Sequence, residues 1–178
     1  MNFALSSSFA LRKINADRGP QNSLSHNREI AVNNTQAKTS ALTPLLGQWG
    51  LVSFDLETQQ TGERKPAWGP NPKGRLLILP SGFMMAVLAA ASRSTPATDE
   101  QRAAAFKQMI AYTGPIEIEG DQMKVEVDVS WNEAWTNTVQ TRAFKFIGLN
   151  LSLISAWAPS PFDPGVIVRG ILEWKREA

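Results

Sequence analysis

Two acidic side chains alternate with valines in one stretch of the chain and could carry acid–base chemistry. Glu126 and Asp128 lie among Val125, Val127 and Val129, and in a strand this spacing puts the carboxylates on one face and the valines on the other. On a face that meets water, both would be ordinary solvated groups. On an inward face, desolvation would favour the protonated form and make either one a general acid or base. The sequence leaves both alternatives open.

Arg142 and Tyr112 are the other side chains that could take part in polar chemistry. Arg142 lies between Gln140 and Phe144 and could pair with an inward carboxylate or with an acidic group on a ligand, while a surface position is the alternative. Tyr112 is the single tyrosine of the chain, and it could offer its hydroxyl to a pocket or cap the core. If the protein is an enzyme, its candidate catalytic residues are Glu126, Asp128, Arg142 and Tyr112.

Residue counts argue against several common kinds of active site. The chain has no cysteine, which removes thiol nucleophiles, disulfides and thiolate metal sites. The single histidine, His26, cannot assemble a His-rich zinc site, and a Ser-His-Asp triad would have to recruit it from the N-terminal region. No glycine-rich phosphate loop or dinucleotide fingerprint is present. We therefore expect neither a metal site nor a cofactor.

Composition divides the chain into an N-terminal tail, residues 1–41, and one folded domain, residues 42–178. Residues 1–40 hold five basic and two acidic side chains, a net charge of +3, with much Ser and Asn, which is typical of a disordered leader or of a transit peptide. The remainder carries −1, so we expect no nucleic-acid surface. The longest apolar run has nine residues, too few to span a bilayer. We expect a cytoplasmic protein, and a homodimer is compatible with these features.

Apolar alternation and turn spacing predict about eight or nine short antiparallel strands in the folded domain. Val52, Phe54 and Leu56 alternate on one face of the first strand, and a hairpin joins 74–79 to 83–88. The later strands are predicted at 116–119, 123–130, 138–147, 149–157 and 166–175. Turns recur roughly every 8–12 residues, a rhythm typical of a β-barrel or a β-sandwich.

One helix is predicted within this succession of strands. A capping box at Thr98 and Gln101 begins it, and Gly114-Pro115 ends it. An apolar stripe at helical spacing is formed by Ala105, Phe106, Met109, Ile110 and Tyr112/Thr113. This stripe could pack against the outside of the strands or line a ligand site.

The two ends of the folded region carry a matching signal. Gly47-Gln48-Trp49 opens the first strand, and Trp174-Lys175-Arg176 closes the last. This pairing predicts that the first and last strands meet and that the sheet closes into a barrel around one pocket. We expect the Trp49 indole to lie under the Arg176 guanidinium at the closed end, a contact worth about 0.5–2 kcal/mol.

Aromatic side chains are the main candidates for contacts with a ligand. Trp131, Trp135 and Trp157 lie near predicted strand ends and could ring the mouth of the barrel, where they would hold a flat apolar molecule. Ordinary core and rim packing is the alternative. The candidate ligand-binding residues are Trp68, Met84, Tyr112, Trp131, Trp135, Arg142, Phe144 and Trp157.

Four segments in the same order resemble the lipocalin-like domain family of bacteria and fungi. They are Gly47-Gln48-Trp49-Gly50-Leu51-Val52-Ser53-Phe54, Pro72-Lys73-Gly74-Arg75-Leu76, Ala111-Tyr112-Thr113-Gly114 and Glu173-Trp174-Lys175-Arg176. The similarity covers roughly residues 42–177. It implies a single antiparallel barrel of the calycin type with a helical insertion. Similar barrels bind hydrophobic small molecules, and some are cofactor-free cyclases or isomerases of secondary metabolism.

These observations predict a mainly β protein that binds a hydrophobic small molecule inside a lipocalin-like barrel. The alternative is a cofactor-independent cyclase or isomerase that acts on a polyketide- or terpenoid-like substrate in natural-product biosynthesis. Both hypotheses require the sheet to close and its interior to remain partly empty.

Overall fold

The structure is a computed structural model that describes residues 41–177. Strands make up most of it. They are β1 (Gly47–Thr58), β2 (Arg64–Pro66), β3 (Lys73–Ile78), β4 (Phe83–Ala89), β5 (Met109–Glu119), β6 (Gln122–Glu126), β7 (Val129–Ser130), β8 (Val139–Ile147), β9 (Asn150–Ser155), β10 (Ala158–Pro159) and β11 (Ile167–Arg176). Helix α1 (Asp99–Lys107) connects β4 to β5, and 3₁₀ helices span Thr43–Leu45 and Glu133–Trp135. Within the described range, no helix has the length and apolar character that crossing a membrane requires. Residues 1–40 of the predicted tail, and His26 with them, lie outside this range.

Eight of the described strands form a closed antiparallel barrel. Their order is β1–β3–β4–β5–β6–β8–β9–β11, and β11 pairs again with β1. The short strands β2, β7 and β10 add to β1, β5 and β11 respectively. The predictions of a mainly β fold, an antiparallel barrel of eight or nine strands and a helical insertion are therefore confirmed.

One end of the barrel is sealed by the contact predicted between its first and last strands. Trp49 pairs in register with Arg176, whose guanidinium carbon lies 4.1 Å from the centre of the indole ring. The same guanidinium donates to the carbonyl oxygens of Leu46 and of Pro44, the latter at 2.6 Å. The Trp49 Nε1–H donates to the Leu45 carbonyl oxygen at 2.9 Å. The indole is thus held between the 3₁₀ turn and the last strand.

A β-bulge in β1 corrects the prediction that Val52, Phe54 and Leu56 share one face. The pairing of β1 with β11 shifts by one residue between Leu51 and Ser53. Val52 is the extra residue, and its side chain is 49% exposed, whereas Phe54 is buried. Strict alternation over this segment could not reveal the inserted residue, because a bulge is a property of two paired strands.

The predicted helix is correct at its start and wrong at its end. The Thr98 hydroxyl accepts from the Gln101 backbone N–H, and the Gln101 side chain accepts from the Thr98 N–H, as in a capping box. However, α1 ends at Lys107, and every residue from Met109 to Pro115 pairs with β4. The backbone hydrogen bonds of this segment are therefore supplied by a neighbouring strand, which outweighs its helical spacing.

The strand predicted from Met123 to Ser130 is interrupted, which corrects the expected orientation of Val129. Ile116 pairs with Val125, but Thr113 pairs with Val129, so the register of β5 against this segment slips by one residue. Val125 and Val127 are buried, whereas Val129 is 63% exposed. A second bulge between β6 and β7 thus turns the last valine outward.

Gly114 is required by this second bulge. A Cβ atom at position 114 would lie 1.9 Å from the carbonyl oxygen of Glu126 and 2.8 Å from its carbonyl carbon. Both atoms belong to the backbone, so neither can rotate away. We predicted that Gly114 would end the helix; its actual role is to allow the close approach of the bulge to β5.

We expect Gly114→Ala to lower the free energy of unfolding by about 3 kcal/mol or more, because the bulge must move away from the added methyl group. Urea denaturation followed by tryptophan fluorescence measures the change. Gly120→Ala is the control, since Gly120 has a φ of 60° and no atom within 4 Å of the added Cβ. Its loss should be about 1–2 kcal/mol, from backbone conformation alone. Equal losses in the two variants would contradict the steric explanation.

Candidate functional site

The barrel interior contains a cavity of about 320 Å³, within the usual range for small-molecule sites. Its wall is mostly apolar and comes from alternate positions of the barrel strands, because successive side chains of a strand point to opposite faces. On β4, for example, Ala86 and Leu88 point inward, whereas Met85 and Val87 are exposed. The apolar lining includes Phe54, Leu56, Leu76, Ala86, Leu88, Ile110, Leu153, Val168, Leu172 and Trp174.

A wider cavity of about 590 Å³ forms the mouth of the barrel. The two cavities adjoin, since both are lined by Phe54, Leu56, Ile110, Trp135 and Pro161. The other walls of the mouth come from the end of α1, from the loop before β8 and from the segments around residues 68 and 162. From the apolar stripe of the predicted helix, Phe106, Met109 and Ile110 line the mouth.

Interlocked aromatic rings form the boundary between the mouth and the interior. The Trp131 and Trp135 rings meet edge to face with centroids 4.9 Å apart, and Trp135 meets Tyr112 in the same way at 5.5 Å. Such pairs add about 0.5–1.5 kcal/mol to the burial of their area. Asn132 orients this segment, because its Oδ1 accepts from the Ala134 N–H at 3.2 Å and caps the 3₁₀ turn that carries Trp135.

Arg142 is the charged group of the interior, and the inward alternative considered for it is the one observed. Its side chain is 9% exposed and belongs to the cavity lining. Nη1 donates to the Thr141 carbonyl oxygen at 2.8 Å, and Nη2 donates to Oε1 of Gln140 at 3.3 Å. The guanidinium carbon lies 5.7 Å from the centre of the Trp135 ring, within cation–π range.

The other polar side chains of the interior are Tyr112, Gln140 and Ser155. The Ser155 hydroxyl is already used, since it donates to the Ala156 carbonyl oxygen at 2.9 Å and accepts from the Gly170 N–H at 2.8 Å. The Tyr112 hydroxyl, by contrast, has no hydrogen-bond partner among the described residues. Tyr112 and Arg142 both contact Trp135, so they flank the same ring.

The structure brings together five of the eight predicted ligand-binding residues. Tyr112, Trp135 and Arg142 line the interior, and Trp68, Trp131 and Trp135 line the mouth. Met84 is fully buried and Phe144 packs against the core, and neither lines a cavity. Trp157 does not join the ring of indoles at the mouth. It is 37% exposed, and the Arg169 guanidinium carbon lies 4.5 Å from its ring centre.

The predicted acidic pair does not line the cavity. Glu126 and Asp128 are exposed on the outer surface, and Oδ1 of Asp128 accepts from the Thr113 hydroxyl at 2.5 Å. The condition that we set for acid–base chemistry by these two carboxylates, an inward orientation, is therefore not met. Nor do residues 41–177 contain a group of three or more histidines and carboxylates placed to hold a metal ion.

Several lining residues were missed by the sequence interpretation. Leu76, Ala86, Leu88 and Leu153 follow the strand alternation, so their inward orientation could have been predicted. Their position at an empty cavity rather than in a filled core depends on how the barrel closes. The segment from Ala156 to Pro161 also lines the interior. We predicted a strand up to residue 157 and a proline-rich loop from Pro159, and neither pattern carried a signal for a site.

Outside the barrel, a buried carboxylate joins three strands behind the lining. Glu57 of β1 is 7% exposed. Its Oε2 accepts from Nε of Arg64 on β2 at 2.7 Å, and its Oε1 accepts from Nη2 of Arg169 on β11 at 2.6 Å. Burial by itself would raise the pKa of Glu57, but the two hydrogen bonds and the two positive charges together hold that pKa below its usual value. This cluster ties together the strand ends that carry Leu56 and Val168.

A comparison with protein families matches residues 46–177 of the chain to a family described as the lipocalin-like domain. The resemblance drawn from the four sequence segments is therefore confirmed. The match begins just before β1 and ends one residue after β11, so it spans the whole closed barrel. A search of curated proteins finds no match.

The lowered pKa of Glu57 predicts an acid-sensitive fold. A carboxylate whose pKa is depressed by folding stabilises the protein above its unfolded pKa of about 4.3, and that contribution is lost as pH falls through the folded pKa. We expect Glu57→Gln to lower the free energy of unfolding by about 2 kcal/mol near pH 7. The difference from wild type should shrink toward about pH 3.

Urea unfolding at several pH values measures this difference. Glu119→Gln is the control, because Glu119 pairs with Lys124 on the exposed surface at 2.6 Å and exposed pairs contribute little. A difference between Glu57→Gln and wild type that stays constant with pH would contradict the linkage.

Proposed function

The chain belongs to the lipocalin-like domain family, and from this membership and the two adjoining cavities we propose that the protein binds a hydrophobic small molecule inside its barrel. The observation that carries the proposal is an apolar interior of about 320 Å³ that adjoins an aromatic mouth of about 590 Å³. If the inward side chains served packing alone, they would fill the interior, because protein interiors approach the density of organic crystals.

The chemistry of the wall indicates the type of ligand. Leucine, valine and phenylalanine side chains offer dispersion contacts and few hydrogen bonds, so affinity must come mainly from the burial of apolar surface. A ligand that buries about 300 Å² of apolar area gains about 7 kcal/mol before the costs of ordering and of lost translation. The indoles at the mouth favour a molecule that is flat or conjugated at one end.

We expect tryptophan fluorescence to change saturably when the protein is titrated with fatty acids, polyketide-like compounds or terpenoids, because Trp135 lies between the two cavities. Ala86→Phe should weaken binding at least about tenfold, since the added ring enters the interior. Val87→Phe is the matched control, because Val87 is the next residue of β4 and points outward; its affinity should stay within about twofold of wild type. An unchanged spectrum across the panel, or equal loss of binding in both variants, would contradict an internal site.

A cofactor-independent cyclase or isomerase is the second candidate function. It is favoured by one observation, the Tyr112 hydroxyl without a hydrogen-bond partner among residues 41–177, beside the same indole as Arg142. In such an enzyme the wall would hold a polyene or polyketide in a reactive conformation. Tyr112 would transfer a proton, and Arg142 would stabilise a developing negative charge.

If the protein is such an enzyme, Tyr112→Phe and Arg142→Gln should each lower kcat for a polyketide- or terpenoid-like substrate by about tenfold or more, because each removes a group that faces the cavity. Single-turnover product analysis measures the effect, with Ala86→Phe as the variant that blocks substrate entry. Loss of turnover in Glu126→Gln, with Tyr112→Phe active, would instead assign the chemistry to the outer carboxylates.

A further inference from the structure

The interior of the barrel contains a positive charge for which residues 41–177 supply no counter-ion. Arg142 is 9% exposed, and among the described residues no carboxylate forms an ion pair with it. A guanidinium stays protonated in proteins, so it cannot lose its charge as a buried lysine or histidine can. A buried charge that lacks a partner is strongly unfavourable. An anion from outside the described residues would stabilise this charge.

Arg169, a partly buried arginine on another strand of the barrel, has its charge neutralised by the protein itself. Arg169 is paired with the carboxylate of Glu57 at 2.6 Å, and it lies on the outer face. The acidic residues nearest to Arg142 on the N-terminal side, Glu133, Asp128 and Glu126, are all exposed. Of the residues described, then, no acidic side chain reaches the interior lining.

The hydrogen bonds of Arg142 leave donors available. Nη1 and Nη2 each make one bond to the protein, so three of the five N–H groups of a guanidinium have no partner among residues 41–177. The Tyr112 hydroxyl, which also lacks a partner in this range, flanks Trp135 together with Arg142. A carboxylate suits this arrangement, because a guanidinium binds carboxylate oxygens with two parallel hydrogen bonds.

We propose that the natural ligand is an amphipathic acid, whose carboxylate binds Arg142 inside the barrel and whose apolar body lies along the cavity wall and in the mouth. This inference rests on the proposed function, since it assumes that the cavity binds an apolar molecule. It adds the charge of the ligand and the residue that recognises it. Tyr112 would donate a further hydrogen bond to the same carboxylate.

Matched probes of one chain length test the charge of the ligand. The full chain is titrated with decanoic acid, 1-decanol and decyltrimethylammonium at neutral pH, and binding is measured by calorimetry and tryptophan fluorescence. Wild type should bind decanoic acid about ten- to a hundredfold more tightly than decanol, since hydrogen bonds to charged groups are worth that factor. The cationic probe should bind most weakly, because its charge would meet the guanidinium.

Arg142→Gln tests the residue. The variant should retain decanol binding and lose the preference for the acid, leaving a ratio of about two or less. Lys145→Gln is the matched control, because it removes the same charge from the same strand at an exposed position and should keep the wild-type preference. If Arg142→Gln does not fold, Arg142→Lys replaces it. This variant keeps the positive charge but loses the two parallel hydrogen bonds, so we expect an intermediate preference for the acid.

The outcomes separate this inference from the proposed function. Equal affinity of wild type for the acid and the alcohol, or an acid preference that survives in Arg142→Gln, would overturn the inference while leaving a hydrophobic site in place. Failure of all three probes to bind would overturn both. Thermal unfolding of the unliganded variants gives a second readout: a purely structural arginine would leave Arg142→Gln less stable, whereas removal of an unpaired buried charge should leave stability unchanged or raise it.

Discussion

The pairing of β1 with β11 is the constraint on which the rest of the structure depends. It continues from Trp49 opposite Arg176 to Thr58 opposite Val168, so it joins the two edges of the sheet along the whole length of the first strand. Without it, both edges would present unpaired backbone groups, and the inward residues would face water. Closure also determines which end is open, because the Trp49 indole and Arg176 guanidinium seal one end while the aromatic mouth forms at the other.

The empty interior is a consequence of closure combined with the choice of residues. Eight strands make a barrel that side chains can either fill or leave hollow. Near the sealed end the large side chains of Trp49, Leu45 and Met84 are fully buried and fill the space. On β4 the next inward position after Met84 is the small residue Ala86, which lines the cavity. A larger side chain at position 86 would therefore reduce the size of the cavity.

The two β-bulges, one in β1 and one between β6 and β7, affect which side chains face the cavity and its mouth. The bulge at Val52 reverses the inward and outward positions of β1, so Trp49 in the sealed end and Phe54 in the cavity both point inward. The bulge after Glu126, which requires Gly114, turns Val129 outward and leads into the segment that carries Trp131 and Trp135. Each bulge adds one residue to one strand. Neither could be read from alternation alone, and for this reason the predictions for Val52 and Val129 were wrong.

Much of the fold was predictable, because alternation, turn residues and the matching ends of the domain are local signals with a direct structural meaning. The amino-acid sequence by itself determined the strand succession, the capping box at Thr98, the contact of Trp49 with Arg176 and the absence of thiol chemistry. Only the tertiary structure decided that Arg142 lies inside, that Glu126 and Asp128 lie outside, and that Trp157 is separate from the mouth. The physical reason is that the face a side chain occupies depends on register, and register is set by pairing between strands distant in sequence.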